Sequence, residues 1–125
     1  MDRPALQVYV GSTDEYRDTE IVNGYLIRDE ASAPVDVVYM RPGQWGLQEH
    51  GCTGFTNFRW AIPQIHMRRN IPIGHFAGRY AIYIDVDMML AGDIYELLQY
   101  AHPGFWTCLA DGSSEVMVID LAASI

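Results

Sequence analysis

No apolar stretch of this 125-residue chain approaches the roughly 18 residues that a membrane-spanning helix needs. The N-terminus, Met-Asp-Arg-Pro-Ala-Leu-Gln, lacks the charged-then-apolar order of a secretion signal. Basic residues are scarce. Eight Lys and Arg stand against sixteen Asp and Glu, for a formal charge of −8 and a pI near 4.7. Surfaces that bind nucleic acid or anionic membrane carry a basic footprint, so neither is expected as a partner. A nucleotide is still admissible, because a metal and one arginine offset a diphosphate locally. Cysteine is nearly absent: Cys52 and Cys108 lie far apart and match no zinc spacing, which predicts free, partly buried thiols in a reducing, cytoplasmic setting. His50, His66, His75 and His102 show no ligand spacing, and His66 reads as a surface or satisfied core residue. There is no Ser-His-Asp or Cys-His arrangement, no phosphate-cradling P-loop, no repeat and no low-complexity tract.

What is present is one domain's worth of chain, half of it hydrophobic, long enough to bury a core. Residues 80–90 read Tyr-Ala-Ile-Tyr-Ile-Asp-Val-Asp-Met-Met-Leu, an apolar run ending in two aspartates one residue apart. A run of that composition suits a central parallel strand with apolar neighbours on both faces. Asp85 and Asp87 then arrive where the strand leaves its sheet, the edge at which open α/β sheets bind ligands. Two hard oxygen donors there suit Mg²⁺ or Mn²⁺ against the phosphates of a nucleotide. The bland alternative is an Asp-rich turn after a strand. Against it, Asp85 continues a buried strand, where a carboxylate needs a partner and a cation is one candidate.

Leu6–Val10 reads as a strand closed by the turn Gly11-Ser12-Thr13-Asp14. From Glu15 to Ala31, the residues Ile21, Val22, Tyr25 and Leu26 recur at helical spacing, with Pro34 ending the helix and Val35–Met40 forming a second strand. Residues 41–54 carry four glycines and a proline, a loop composition. Thr56 reads as the cap of a helix in which Phe58, Ile62 and Ile65 share a face, with Pro63 kinking it or setting its true start. Asn70–Arg79 is loop again. After the strand into Asp85, Gly92–Tyr100 reads as a short helix with Ile94, Leu97 and Leu98 inward. Phe105–Leu109 and Val116–Ile119 read as strands around the turn Asp111-Gly112-Ser113-Ser114. Strands alternating with helices predict an α/β fold with a parallel or mixed sheet. The chain stops at Ile125 shortly after an apparent strand, so residues 1–125 are expected to form an incomplete domain.

Four segments, in order, resemble the nucleotide-sugar half of a type-A-fold glycosyltransferase, closest to the family-eight and glycogenin-like enzymes. They are Val8–Tyr16 (Val-Tyr-Val-Gly-Ser-Thr-Asp-Glu-Tyr), Thr53–Pro63, Ala81–Ile94 and Ser113–Asp120. The resemblance implies a Rossmann-like mixed sheet flanked by helices and a nucleoside-diphosphate sugar, of the UDP type, as donor. It also implies a divalent Mn²⁺ or Mg²⁺ ion held by Asp85 and Asp87. Gly11, Ser12, Thr13 and Tyr16 then lie at the base, Arg59 at the phosphates and Val86 beside the donor. Two departures stand out. Family members often carry Asn-Ser-Gly where this chain has Ser114-Glu115, and a later histidine that completes their metal site has no match here.

On this reading the ion bridges the diphosphate, and the planar fork of Arg59 donates to phosphate oxygens. Read without the resemblance, Arg59 is a surface arginine on an amphipathic helix, and Tyr16 is an aromatic packing the first helix onto the sheet. Thr13 and Asp14 either contact the base or make the turn and cap the helix, and Asp93 caps the helix after it. Glu115 falls where family members place residues near the sugar. A haloacid-dehalogenase phosphatase also begins from Asp-X-Asp, but usually near the N-terminus and followed by threonine, where Met88 stands here. The remaining rival is a truncated or inactive transferase relic, a nucleotide-binding or non-catalytic module. The acceptor is open (glycan, lipid or protein), and the apolar surface of a partial domain predicts self-association.

Overall fold

The computed structural model describes residues 5–48, 58–69, 79–110 and 113–122. Five strands form one sheet: β1 (Leu6–Gly11), β2 (Val35–Met40), β3 (Tyr80–Asp85), β4 (Trp106–Ala110) and β5 (Ser113–Asp120), in the order β2-β1-β3-β5-β4. β1 runs parallel to both β2 and β3, while β5 is antiparallel to β3 and to β4. The mixed sheet matches the expectation from the alternating elements. β1 and β3 are buried along their whole length, as strands covered on both faces must be.

Register separates the two faces. Val10 lies beside Tyr39 and Ile84, and helix α1 (Arg17–Asp29) covers this side, where the Tyr39 hydroxyl donates to the Glu20 carbonyl at 2.7 Å. Gln7, Tyr9, Tyr83 and Asp85 look the other way, toward a 3-10 turn (Phe58–Ala61) and helix α2 (Ile62–Arg68). Phe58, Ile62 and Ile65 are all buried, and Pro63 sits in the first turn of α2, where its missing N–H costs nothing. His66 is a core residue whose Nδ1 shares a 2.9 Å hydrogen bond with the Tyr9 hydroxyl.

Three expectations change. Ile21, Val22 and Tyr25 face solvent, and α1 instead buries Glu20, Asn23, Gly24 and Ile27. The polar residues win the inner face because each meets a specific partner there. Residues Ile94–Tyr100 form a 3-10 helix rather than an α-helix, with Asp93 capping the Tyr95 N–H at 3.0 Å. Three residues per turn put Ile94 and Leu97 on one line against the core. Cys108 is free and exposed on β4, not partly buried. Cys52, the proposed cap Thr56, His50, His75 and residues 49–54 and 70–78 of the two predicted loops lie outside the described residues. No helix among those described is long and apolar enough to cross a membrane.

Candidate donor site at the carboxyl edge of the sheet

Parallel pairing of β1 with β3 sets Gly11 directly beside Asp85. The chain turns after both strands, and the Val86 N–H donates to the Gly11 carbonyl at 3.1 Å. Met88 N–H closes the turn onto Asp85 O at 2.9 Å, which leaves Asp87 exposed at its tip. Gly11 and the Asp85-Val86-Asp87 turn, distant in sequence, therefore share one edge.

Asp85 is buried and has acquired two partners. The Tyr83 hydroxyl donates to its Oδ1 at 2.5 Å, and Arg59 Nη2 donates to the same oxygen at 3.1 Å. Tyr83 and Asp85 are two residues apart on one strand, so their side chains share a face. Arg59 is buried too, 4% exposed, with its guanidinium 4.8 Å from the centre of the Tyr83 ring. This overturns the surface reading of Arg59: the residue lies inside the site, bonded to the carboxylate. Burial holds the Asp85 carboxyl above the usual carboxylate range; Tyr83 and Arg59 pull it down, while the charges of Asp87 and Glu115 push it up. Burial likewise raises the Tyr83 phenol, and Asp85 raises it further. Three carboxylates thus feel one another at this edge.

The other candidates divide by where they point. Ser12 is fully buried, its N–H donating to Met40 O at 2.9 Å and its hydroxyl to Glu20 Oε2 at 2.6 Å. Glu20 in turn pairs with Arg41, which secures the turn after β1 from behind. Thr13 is 2% exposed, and its hydroxyl has no hydrogen-bond partner among the described residues. That hydroxyl does not cap the following 3-10 turn (Asp14–Tyr16); the Thr13 carbonyl does the work instead, accepting from Tyr16 N at 3.0 Å. Tyr16 is half-buried against the core, its phenol raised by burial and then by the charges of Glu15 and Asp87. Tyr16 thus feels the charge of Asp87 on the turn after β3. Asp14 pairs with Arg17 at the surface.

Two contributors escaped the sequence reading. Tyr83 was visible in principle from its two-residue spacing to Asp85. Asn23 was not: from the inner face of α1 its amide donates to Met88 O at 3.1 Å, across 65 residues of sequence, and pins the turn that carries Asp87.

The donors Asp85 and Asp87 offer are all oxygen, which fits a hard divalent cation and disfavours a soft one. No group of three ligating side chains occurs among the described residues, so phosphate oxygens and water would complete the shell.

No protein-family profile and no curated protein matches the sequence. Among solved structures, the chain is similar to the glycosyltransferase GlyE of Streptococcus pneumoniae TIGR4, with a TM-score of 0.60 at 13% identity. The match covers 96% of this chain but 35% of GlyE, so the chain spans about a third of that protein's length. At that identity the likeness speaks for the fold alone: a Rossmann-like α/β fold of the kind GlyE has.

Proposed function

We propose that this chain is the donor-binding part of a metal-dependent glycosyltransferase, holding a nucleoside-diphosphate sugar of the UDP type for transfer to a separate acceptor. The observation that carries the reading is the meeting of Asp85 and Asp87 with the end of β1 at the carboxyl edge of a parallel pair. Asp85 and Asp87 would hold a Mn²⁺ or Mg²⁺ ion, which would supply Lewis-acid charge to a departing diphosphate.

The chain's own residues then have distinct tasks. Tyr83 and Arg59 fix Asp85 in one orientation and offset its charge before any ligand arrives. Asn23 holds the turn that presents Asp87. Tyr16, half-buried just beyond the end of β1, offers an aromatic face for the base. Arg59 spends Nη2 on Asp85, so its contribution to phosphate binding is chiefly through the position of that carboxylate.

Calorimetry of UDP binding with and without Mn²⁺, on the wild type and on Asp87→Ala, tests the reading. Asp87 is exposed, so the substitution leaves the core intact. The expected result is Mn²⁺-dependent binding in the wild type, weakened about tenfold or more in the variant. Wild-type protein that binds UDP equally with and without the metal, or not at all, overturns it.

A further inference from the structure

The apolar stripe that the sequence places on α1 faces away from the sheet. Ile21 is 74% exposed, Val22 51% and Tyr25 62%, on a helix whose inner face is already sealed by Glu20, Asn23, Gly24 and Ile27. Scattered exposed apolar residues need no explanation, but three at helical spacing on one face form a continuous patch. A groove of about 840 Å³ runs beside it, with Ile21, Tyr25, Arg28 and Tyr39 in its lining. The adjoining strand β2 is one of the two edge strands of the sheet among the described residues.

Charge identifies the occupant. The thirteen residues of α1 are centred on position 23, and the exposed charges flank the apolar patch as Arg17 and Asp18 on one side, Arg28 and Asp29 on the other. Two copies of the helix laid antiparallel about a two-fold axis at that level put Ile21 against Tyr25, Arg17 against Asp29, and Asp18 against Arg28. Every charge meets its opposite, twice. Asp18, Arg28 and Asp29 form no ion pair with the described residues, and the one Arg17 makes is an exposed contact with Asp14. An isologous interface demands this kind of self-complementarity. We propose that the outer face of α1 is a dimerisation surface, and that its partner is a second copy of this chain. The helix is only about 20 Å long, so the dimer is a weak, concentration-dependent one. The inference needs neither nucleotide nor metal and stands apart from the donor-site reading.

Sedimentation equilibrium across micromolar to submillimolar protein tests it. The wild type is expected to pass from the 14.1 kDa monomer toward twice that mass. Ile21→Glu should abolish the rise, and Arg28→Asp should weaken association about tenfold or more by facing Asp18 with a like charge. The double variant Asp18→Arg/Arg28→Asp restores the facing pair and should return to within about threefold of wild type. A second double variant, Arg28→Asp/Asp29→Arg, has the same net charge but sets like charges against Asp18 and Arg17, and should stay monomeric. Circular dichroism checks that each exposed substitution leaves the fold intact. A wild type that is monomeric throughout overturns the proposal, whether the face meets another protein or none. So does a dimer indifferent to Ile21→Glu or Arg28→Asp, and so does equal behaviour of the two double variants.

Discussion

A carboxylate at the end of a buried strand is costly unless something answers its charge, and Asp85 is answered twice, by a phenol and by a guanidinium. The chain contains no lysine, so every cation in it is an arginine. Arg41, Arg59, Arg69 and Arg79 each lie over a tyrosine ring while bonding an acid or amide, a double task that a planar guanidinium performs and an ammonium does not. The same chemistry shapes His66, which is buried beside Tyr9 with Arg69 nearby. Burial, and secondarily the Arg69 charge, draw its pKa from 6.5 down to about 4. The unfolded chain therefore takes up a proton below pH 6.5 that the folded protein refuses until about pH 4. The stability this residue allows is fully present above that window and drains away as pH falls through it, by roughly 2 kcal/mol between pH 7 and pH 5. Urea unfolding at the two pH values should register that loss in the wild type. In His66→Gln, whose amide also bonds the Tyr9 hydroxyl, the difference should largely vanish; an unchanged difference would remove His66 as its source.

Helix α1 is the element where sequence and structure part most clearly. Its apolar spacing locates the helix but does not mark the face that packs on the sheet. The reason lies in partners that periodicity does not see: Ser12 for Glu20, Met88 for Asn23, and Tyr39 for the gap at Gly24. By contrast β1 and β3 were legible, because a run buried on both faces announces itself by composition alone. At the candidate site, the Asp-X-Asp pair and its edge were readable, whereas the bond from Arg59 to Asp85 exists only once α2 is packed on the sheet. Gly24 offers a test at this scale. Glycine inside a helix ordinarily costs about 1 kcal/mol relative to alanine. Here a Cβ would meet the Tyr39 hydroxyl oxygen at 2.4 Å and Arg28 Nη1 at 2.8 Å. Gly24→Ala is therefore expected to destabilise by about 1–2 kcal/mol, through displacement of the Tyr39 bond to Glu20. With Tyr39→Phe in the background the obstructing oxygen is gone, and the alanine should become neutral or stabilising. Equal effects in both backgrounds, measured by denaturant unfolding, would place the cost elsewhere.

At the scale of the whole molecule the two ends of the sheet do different work. The carboxyl ends of β1 and β3 gather the candidate donor site. The opposite end is fastened by Asp120, fully buried at the level of Tyr80, which accepts from Arg79 Nε and Nη2 at 3.0 and 2.9 Å, from Gly104 N at 2.8 Å and from Ala122 N at 3.0 Å. One carboxylate thus ties the entry of β3, the approach to β4 and the exit of β5. The Arg79 bond, with help from the two backbone N–H groups and against the cost of burial, holds its pKa down to about 2. Because that value lies below the unfolded one, the stabilisation is complete above about pH 4 and is lost as pH falls through about 2. Asp120→Ala leaves a guanidinium and two backbone donors without their acceptor, and should cost about 3 kcal/mol at neutral pH. Yet the clasp lies about 17 Å along β3 from Asp85. Because the two carboxylates sit at opposite ends of β3, binding and stability should separate. Below its lowered melting temperature the variant should bind UDP in the presence of Mn²⁺ within about twofold of the wild type, whereas Tyr83→Phe, which removes a bond to Asp85 itself, should weaken that binding about threefold or more while lowering the melting temperature less than Asp120→Ala does. A parallel fall in stability and affinity for Asp120→Ala would mean that the two ends are coupled through β3, and that the sheet is not the rigid platform on which the donor site depends.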